Sequence, residues 1–186
     1  DEASWRRRLA RPVADRRTRI VLAPEPVGFV WFGREEGRLP GYAGEVALGG
    51  THVYLADAHQ GLQVIDVAAP GSPRLVASVP GWADAVAVAG PYAYVAAGGA
   101  SFRVIDIALP AQPIEVGSVE VSGDAVAVAG GFAYVATLNQ GFRVIDISIP
   151  ASPRLVGGVD SPGSSYDLSV AGEFAHIADG DALRVF

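Results

Sequence analysis

The sequence predicts an all-β fold, a β-propeller of about four repeats of roughly 40 residues, with four antiparallel strands per blade. Three observations predict it. The run Leu62-Gln63-Val64-Ile65-Asp66-Val67 returns as Phe102 to Ile107 and as Phe142 to Ile147, with Asp at 66, 106 and 146 and therefore a spacing of 40 both times. Two shorter apolar runs precede each copy, and a Pro-x-x-Pro turn with a further apolar run follows it. A fixed period of this size marks a repeat architecture, in which each unit is one supersecondary element unable to bury its apolar faces alone.

Residues 1–19 form an Arg-rich N-terminal arm: the first 20 residues hold seven Arg against Asp1, Glu2 and Asp15. The weak spacing of Trp5 and Leu9 supports at most one short helix before Pro12. A solvated terminus is the plain reading, and a basic arm contacting a membrane surface or an acidic partner is the sharper one. Within residues 20–38, Pro24 and Pro26 split an apolar segment into Ile20 to Ala23 and Val27 to Phe32. Both read as short strands, either the remnant of a preceding blade or a closing strand.

Residues 39–80, 81–121 and 122–161 read as blades 1 to 3, and residues 162–186 as an incomplete blade 4. The first strands are VALGG at 46–50, VAVAG at 86–90, VAVAG at 126–130 and LSVAG at 168–172. Their Val, Ala and Gly suit the crowded centre where blades converge. The second strands begin at His52, Tyr92, Phe132 and Phe174, each after a Gly turn or its counterpart. The third strands are the recurrent runs themselves, with Leu183 to Phe186 as a degenerate last copy. Adjacent Val104 and Ile105, like Val144 and Ile145, break the apolar/polar alternation, as strands buried on both faces do. A solenoid, the structural rival, would show fewer and longer strands per repeat. Three full units and three strands of a fourth make fifteen strands. The segment at 20–23 or 27–32 is one candidate for the sixteenth; the favoured expectation is a section of a larger ring.

Half of the residues are hydrophobic and net charge is -6. The repeat body is acidic, with five Arg against thirteen acids over residues 46–186, and the chain has no Lys. That balance argues against a nucleic-acid partner, which needs basic side chains spread over one face. There is no Cys, hence no disulfide, thiolate ligand or Cys nucleophile. No apolar run approaches the roughly 20 residues of a spanning helix.

The stretch Gly41 to Pro73, GYAGEVALGGTHVYLADAHQGLQVIDVAAPGSP, and its later copies resemble the LVIVD-repeat family of bacterial and archaeal β-propellers. The resembling features are a Gly-aromatic-Ala lead, an apolar strand ending in Gly, a Tyr-Val-Ala strand, the Val-Ile-Asp run and Pro-x-x-Pro. They span residues 39–186. The sequence departs from the family at Ala69-Pro70, Leu109-Pro110 and Ile149-Pro150, where Ser-Asp-Pro is common. It departs again before the first strand, where only Asp167 matches the usual Asp and Glu45, Ala85 and Ala125 stand elsewhere. The resemblance implies a propeller often exported or displayed at the cell surface, and it brings no catalytic residues.

The recurrent Asp66, Asp106 and Asp146 read as structural staples that accept hydrogen bonds from the next turn's backbone, because an enzyme seldom needs one acid in every blade. Positions where the copies disagree are more informative. Asp84 and Asp124 stand at the entrance to the first strand, with Glu45 and Asp167 one place along, and Tyr42, Trp82 and Tyr166 lie nearby. These seven residues are the candidate binding set, an aromatic and acidic rim of the kind a partner surface presents. Such a carboxylate ring is also a candidate for Ca²⁺, a hard cation taking oxygen ligands, although solvated acids are the plainer reading. His52, His59 and His176 form no ligand set, and no Ser-His-Asp order or phosphate loop emerges. The expectation is a non-enzymatic binding or scaffold module with a protein or carbohydrate partner. The alternative is a hydrolase or lyase using the acids in the channel.

Overall fold

The computed structural model describes residues 43–99, 101–138, 140–161, 164–172, 174–179 and 182–186. The expected arm at 1–19, the short strands at 20–38 and Tyr42 lie outside the described residues.

Fifteen strands are described. Blade 1 holds β1 (Ala43–Gly49), β2 (His52–Asp57), β3 (Gly61–Asp66) and β4 (Arg74–Val79). Blade 2 holds β5 (Ala85–Ala89), β6 (Tyr92–Ala96), β7 (Phe102–Asp106) and β8 (Ile114–Val119). Blade 3 holds β9 (Ala125–Ala129), β10 (Phe132–Thr137), β11 (Gly141–Asp146) and β12 (Arg154–Val159). Blade 4 holds β13 (Ser165–Ala171), β14 (Phe174–Asp179) and β15 (Ala182–Val185). Within every sheet the strands follow sequence order and pair antiparallel, three sheets having four strands and the last having three. This is a β-propeller of four blades, as the period of 40 predicts.

The inner position of the first strands follows from their composition. Val, Ala and Gly leave room for neighbouring blades to approach, and β1, β5, β9 and β13 contact one another in succession. The outer strands face solvent, and every residue of β12 is exposed. The two faces of each sheet are both apolar and have distinct partners. Tyr54, Leu62 and Val64 on the leading face of blade 1 pack against Val86, Val95 and Ile105 on the trailing face of blade 2. One blade on, Tyr94, Phe102 and Val104 meet Val126, Val135 and Ile145. Ala136 and Phe142 of blade 3 then meet Leu168, Ala175 and Ile177 of blade 4. Adjacent apolar residues such as Val104 and Ile105, both fully buried, therefore point into different interfaces, which is why alternation fails there.

Glycine is required where the third strand begins. Gly61 has φ +81°, and an added Cβ would sit 2.1 Å from the Val79 carbonyl oxygen. Gly141 repeats this at φ +71°, with a Cβ 2.4 Å from the Ser161 nitrogen. Both combine a left-handed backbone with close approach of the segment leaving the outer strand.

Candidate functional site

The antiparallel order gives the propeller two unlike ends. First-strand entrances and the turns from second to third strands share one end, the mouth; the Gly turns and Pro-x-x-Pro turns share the other.

The staple residues all fall at the far end. Asp66, Asp106 and Asp146 close their third strands, and one carboxylate oxygen of each accepts the backbone N–H of Ala68, Ala108 and Ser148 respectively, each at 2.9 Å. The second oxygen of Asp66 receives Arg74 at 2.8 Å and that of Asp146 receives Arg154 at 2.9 Å. Strand register makes these pairs, since Asp66 faces Arg74 and Asp146 faces Arg154 across the outer ladder. In blade 2 the facing residue is Ile114, so no Arg stands opposite Asp106. Ser148, with its hydroxyl and its N–H, is the main reason Asp146 falls to a pKa of about 2, and Arg154 adds to it. The Ala68 N–H, followed by Arg74, lowers Asp66 likewise.

At the mouth, Asp84 and Asp124 converge. Asp84 Oδ2 accepts the indole N–H of Trp82 at 2.8 Å and the backbone N–H of Gly98 at 2.6 Å. Asp124 Oδ2 accepts the Leu138 N–H at 3.3 Å. Both carboxylates border Gly98, whose Cβ, if present, would lie 2.8 Å from Asp124 Oδ1 and 3.4 Å from Asp84 Oδ2. Burial raises the pKa of Asp124, the Leu138 N–H opposes the shift, and the charge of Asp84 adds to it. Glu45 is tied to the same edge, because its backbone N–H donates to the Asp84 carbonyl at 3.0 Å. Its carboxyl pKa is pushed up to about 7, chiefly by desolvation and then by the charge of Asp167, against a hydrogen bond from the Val86 N–H. Water still reaches Glu45, which is exposed by area despite the protein packed around it. Asp167 is exposed on β13, where its Oδ1 accepts the Leu168 N–H. Tyr166 precedes it on the same strand.

Trp82 is 43 % exposed, with its ring 4.4 Å from that of His59 in an edge-on contact. Beside it Gly81, Ser101, Arg103, Glu115 and Ser118 complete the lining of a shallow groove of about 250 Å³. Arg103 holds that edge together, donating to the Pro80 and Trp82 carbonyls at 2.8 and 3.2 Å and pairing with Glu115 at 3.3 Å. Among the described residues no three His, Asp or Glu converge as a metal ion needs. One mouth cluster lies outside the expected set: buried Asp179 accepts hydrogen bonds from Ser161 and Ser165 and pairs with Arg184. Arg184, ahead of the two hydroxyls, holds its carboxyl below the usual range. Its members come from separate strands and connections, so no local motif announces it.

The LVIVD-repeat family model matches four consecutive segments, at residues 40–79, 80–121, 122–161 and 162–185. The chain belongs to the LVIVD-repeat family. No curated protein matches it significantly. Among solved structures, this LVIVD-repeat chain is similar to the computationally designed Ika4 protein, with 16 % identity and a TM-score of 0.63 over 83 % of this chain and 98 % of that one. The designed Ika8 protein matches at 14 % identity and a TM-score of 0.63 over 77 % of this chain, but over 45 % of its own. BamB from Moraxella catarrhalis matches at 9 % identity and a TM-score of 0.61 over 80 % and 46 %. At these identities the likeness shows the fold alone. The LVIVD-repeat chain spans just under half the length of Ika8 and of BamB.

Proposed function

We propose that this LVIVD-repeat propeller is a non-enzymatic binding module that holds a cationic segment of a protein partner at its mouth. The carrying observation is the convergence of Asp84 and Asp124 beside half-exposed Trp82, with Glu45 attached to the same edge. An aromatic anchor among carboxylates favours Arg and Lys side chains through ion pairing and cation–π contact. Carbohydrate draws no support from the comparisons, so the reading is confined to protein. Placement outside the cytoplasm belongs to the same proposal and rests on the family resemblance alone.

A hydrolase or lyase reading has one observation in its favour, a carboxyl at Glu45 titrating near neutrality close to Asp167. Asp84, by contrast, is occupied by an indole and a backbone N–H, as a rim residue would be. Calorimetric titration with an oligo-arginine peptide tests the binding reading. Expected are saturable binding that weakens with salt and its loss in the Trp82→Ala, Asp84→Asn, Asp124→Asn triple variant. No binding, or binding indifferent to those substitutions, overturns it. Glu45→Gln decides the second reading if a hydrolytic activity is found, since an unchanged rate removes the acid from the chemistry.

A further inference from the structure

Every Arg among the described residues is already committed to an acid. Arg103 pairs with Glu115, Arg143 with Asp160 and Arg184 with Asp179, while Arg74 and Arg154 serve the far-end staples. None serves the two carboxylates that converge at the mouth. Each of these is held through one oxygen: Asp84 Oδ2 takes the Trp82 and Gly98 N–H groups, and Asp124 Oδ2 takes the Leu138 N–H. Among the described residues Asp84 Oδ1 and Asp124 Oδ1 receive no donor.

The space between the two carboxylates exists because one side chain is missing. Gly98 stands where Ala58 and Leu138 hold the same turn position in blades 1 and 3. A Cβ built on Gly98 would lie 2.8 Å from Asp124 Oδ1 and 3.4 Å from Asp84 Oδ2. The two oxygens therefore stand within about 6 Å of each other, a span that one ion covers with charge-assisted hydrogen bonds of about 2.8 Å to either side. Gly98 is only half-buried, so the gap opens to solvent. The half-exposed indole of Trp82 stands beside it, fixed by its bond to Asp84. The same indole lines the neighbouring groove, where Gly81 replaces the buried Val121 of the next blade. That leaves room along the ring for the aliphatic stem of an incoming side chain.

We infer that the mouth selects arginine over lysine, one guanidinium bridging Asp84 and Asp124 across Gly98 with its plane against Trp82; this rests on the binding reading above. A guanidinium is flat, weakly hydrated and stacks on aromatic faces, and its rigid fork of donors can serve acceptors from two side chains at once. An ammonium is a compact, strongly hydrated point charge without a face to stack. Gly98 and Trp82 are therefore the residues that set specificity: Gly98 keeps the gap open, and Trp82 orients Asp84 while supplying the stacking surface.

Calorimetric titration with oligo-arginine and with oligo-lysine of equal length tests this. Oligo-arginine should bind about tenfold tighter, the ratio that stacking and one added charge-assisted hydrogen bond supply together. Gly98→Ala retains both carboxylates, and Gly98 has no left-handed backbone for the substitution to strain. Its added methyl group must displace the end of the Asp124 side chain. The variant should keep its melting temperature and bind oligo-arginine no better than oligo-lysine. If Gly98→Ala melts early, Trp82→Phe decides, because it keeps a ring but releases Asp84 and should reduce the ratio as well. Equal or tighter binding of oligo-lysine by the wild type overturns the selectivity and leaves the binding reading standing. Failure of both peptides to bind overturns the two together. A tenfold ratio that survives the deciding substitution overturns the inference too, by assigning the preference to other residues.

Discussion

Phe102→Ala probes the contact on which the stack of blades depends. The ring is fully buried, lies 6.3 Å from the stacked ring of Tyr94, and belongs to the cluster that blade 2 shares with Val126, Val135 and Ile145 of blade 3. Burying a Phe side chain is worth about 1.5–3 kcal/mol by area, and the stacked pair adds about 0.5–1.5 kcal/mol. The cavity left behind adds its own penalty, because strands held by ladders on both sides cannot collapse into it, so the loss should reach about 3–5 kcal/mol. That is a large part of the roughly 5–15 kcal/mol by which domains of this kind are stable. Urea unfolding followed by both tryptophan fluorescence and far-ultraviolet dichroism measures it, the pair of probes guarding against blade-by-blade melting. A loss below about 1 kcal/mol would mean that Phe102 does not sit in a packed interface, and the assignment of leading and trailing faces would fail with it.

Other expectations follow from particular residues. Gly141→Ala meets both a positive φ and a backbone atom at 2.4 Å, whereas Gly131→Ala meets only a φ of +81°. The first should cost at least about 2 kcal/mol and the second about 1 kcal/mol, and equal losses in thermal melts would remove the close approach as a cause. Asp106→Ala leaves the Ala108 N–H without its acceptor, so stability should fall by about 1–2 kcal/mol, and an unchanged melting temperature would show that the staple is idle. Glu45, with its folded pKa raised from 4.5 to about 7, holds a proton that the unfolded chain releases between those values. Stability should therefore decline as pH rises from about 4.5 to 7 and level off above. Solvent screening of this exposed group reduces the decline to about 1 kcal/mol, and Glu45→Gln should flatten it; a variant with the wild-type pH slope would contradict the assignment.

Much of this was legible before any coordinates, because repetition turns sequence into geometry. Asp66, Asp106 and Asp146 at one spacing dictate three equivalent strands, and an Asp followed two residues later by a free N–H is a local motif. The partners Arg74 and Arg154 were not legible, since pairing residues eight apart needs the register of the outer ladder, including its bulge. The mouth was half visible. Disagreement among copies marked Asp84, Asp124, Glu45 and Asp167, but not the convergence of two carboxylates on Gly98 or the commitment of the Trp82 N–H to Asp84. The cluster around Asp179 was invisible because Ser161, Ser165 and Arg184 reach it from separate parts of the chain. The exposure of Leu183 and Val185 was hidden for a different reason: they obey the same apolar pattern as the buried Phe102 and Val104, and pattern alone does not set burial.

The division of the propeller into a binding mouth and a structural far end is tested most directly by crossing two variant sets with two readouts. Oligo-arginine binding and melting temperature would be measured for the Trp82→Ala, Asp84→Asn, Asp124→Asn variant and for an Asp66→Ala, Asp106→Ala, Asp146→Ala variant, the latter removing the acceptors of the three staples. The first set should lose binding and stay folded at the wild-type melting temperature or near it, while the second should melt earlier and bind as before. Loss of binding from the far-end set, with the mouth set binding normally, would contradict the account.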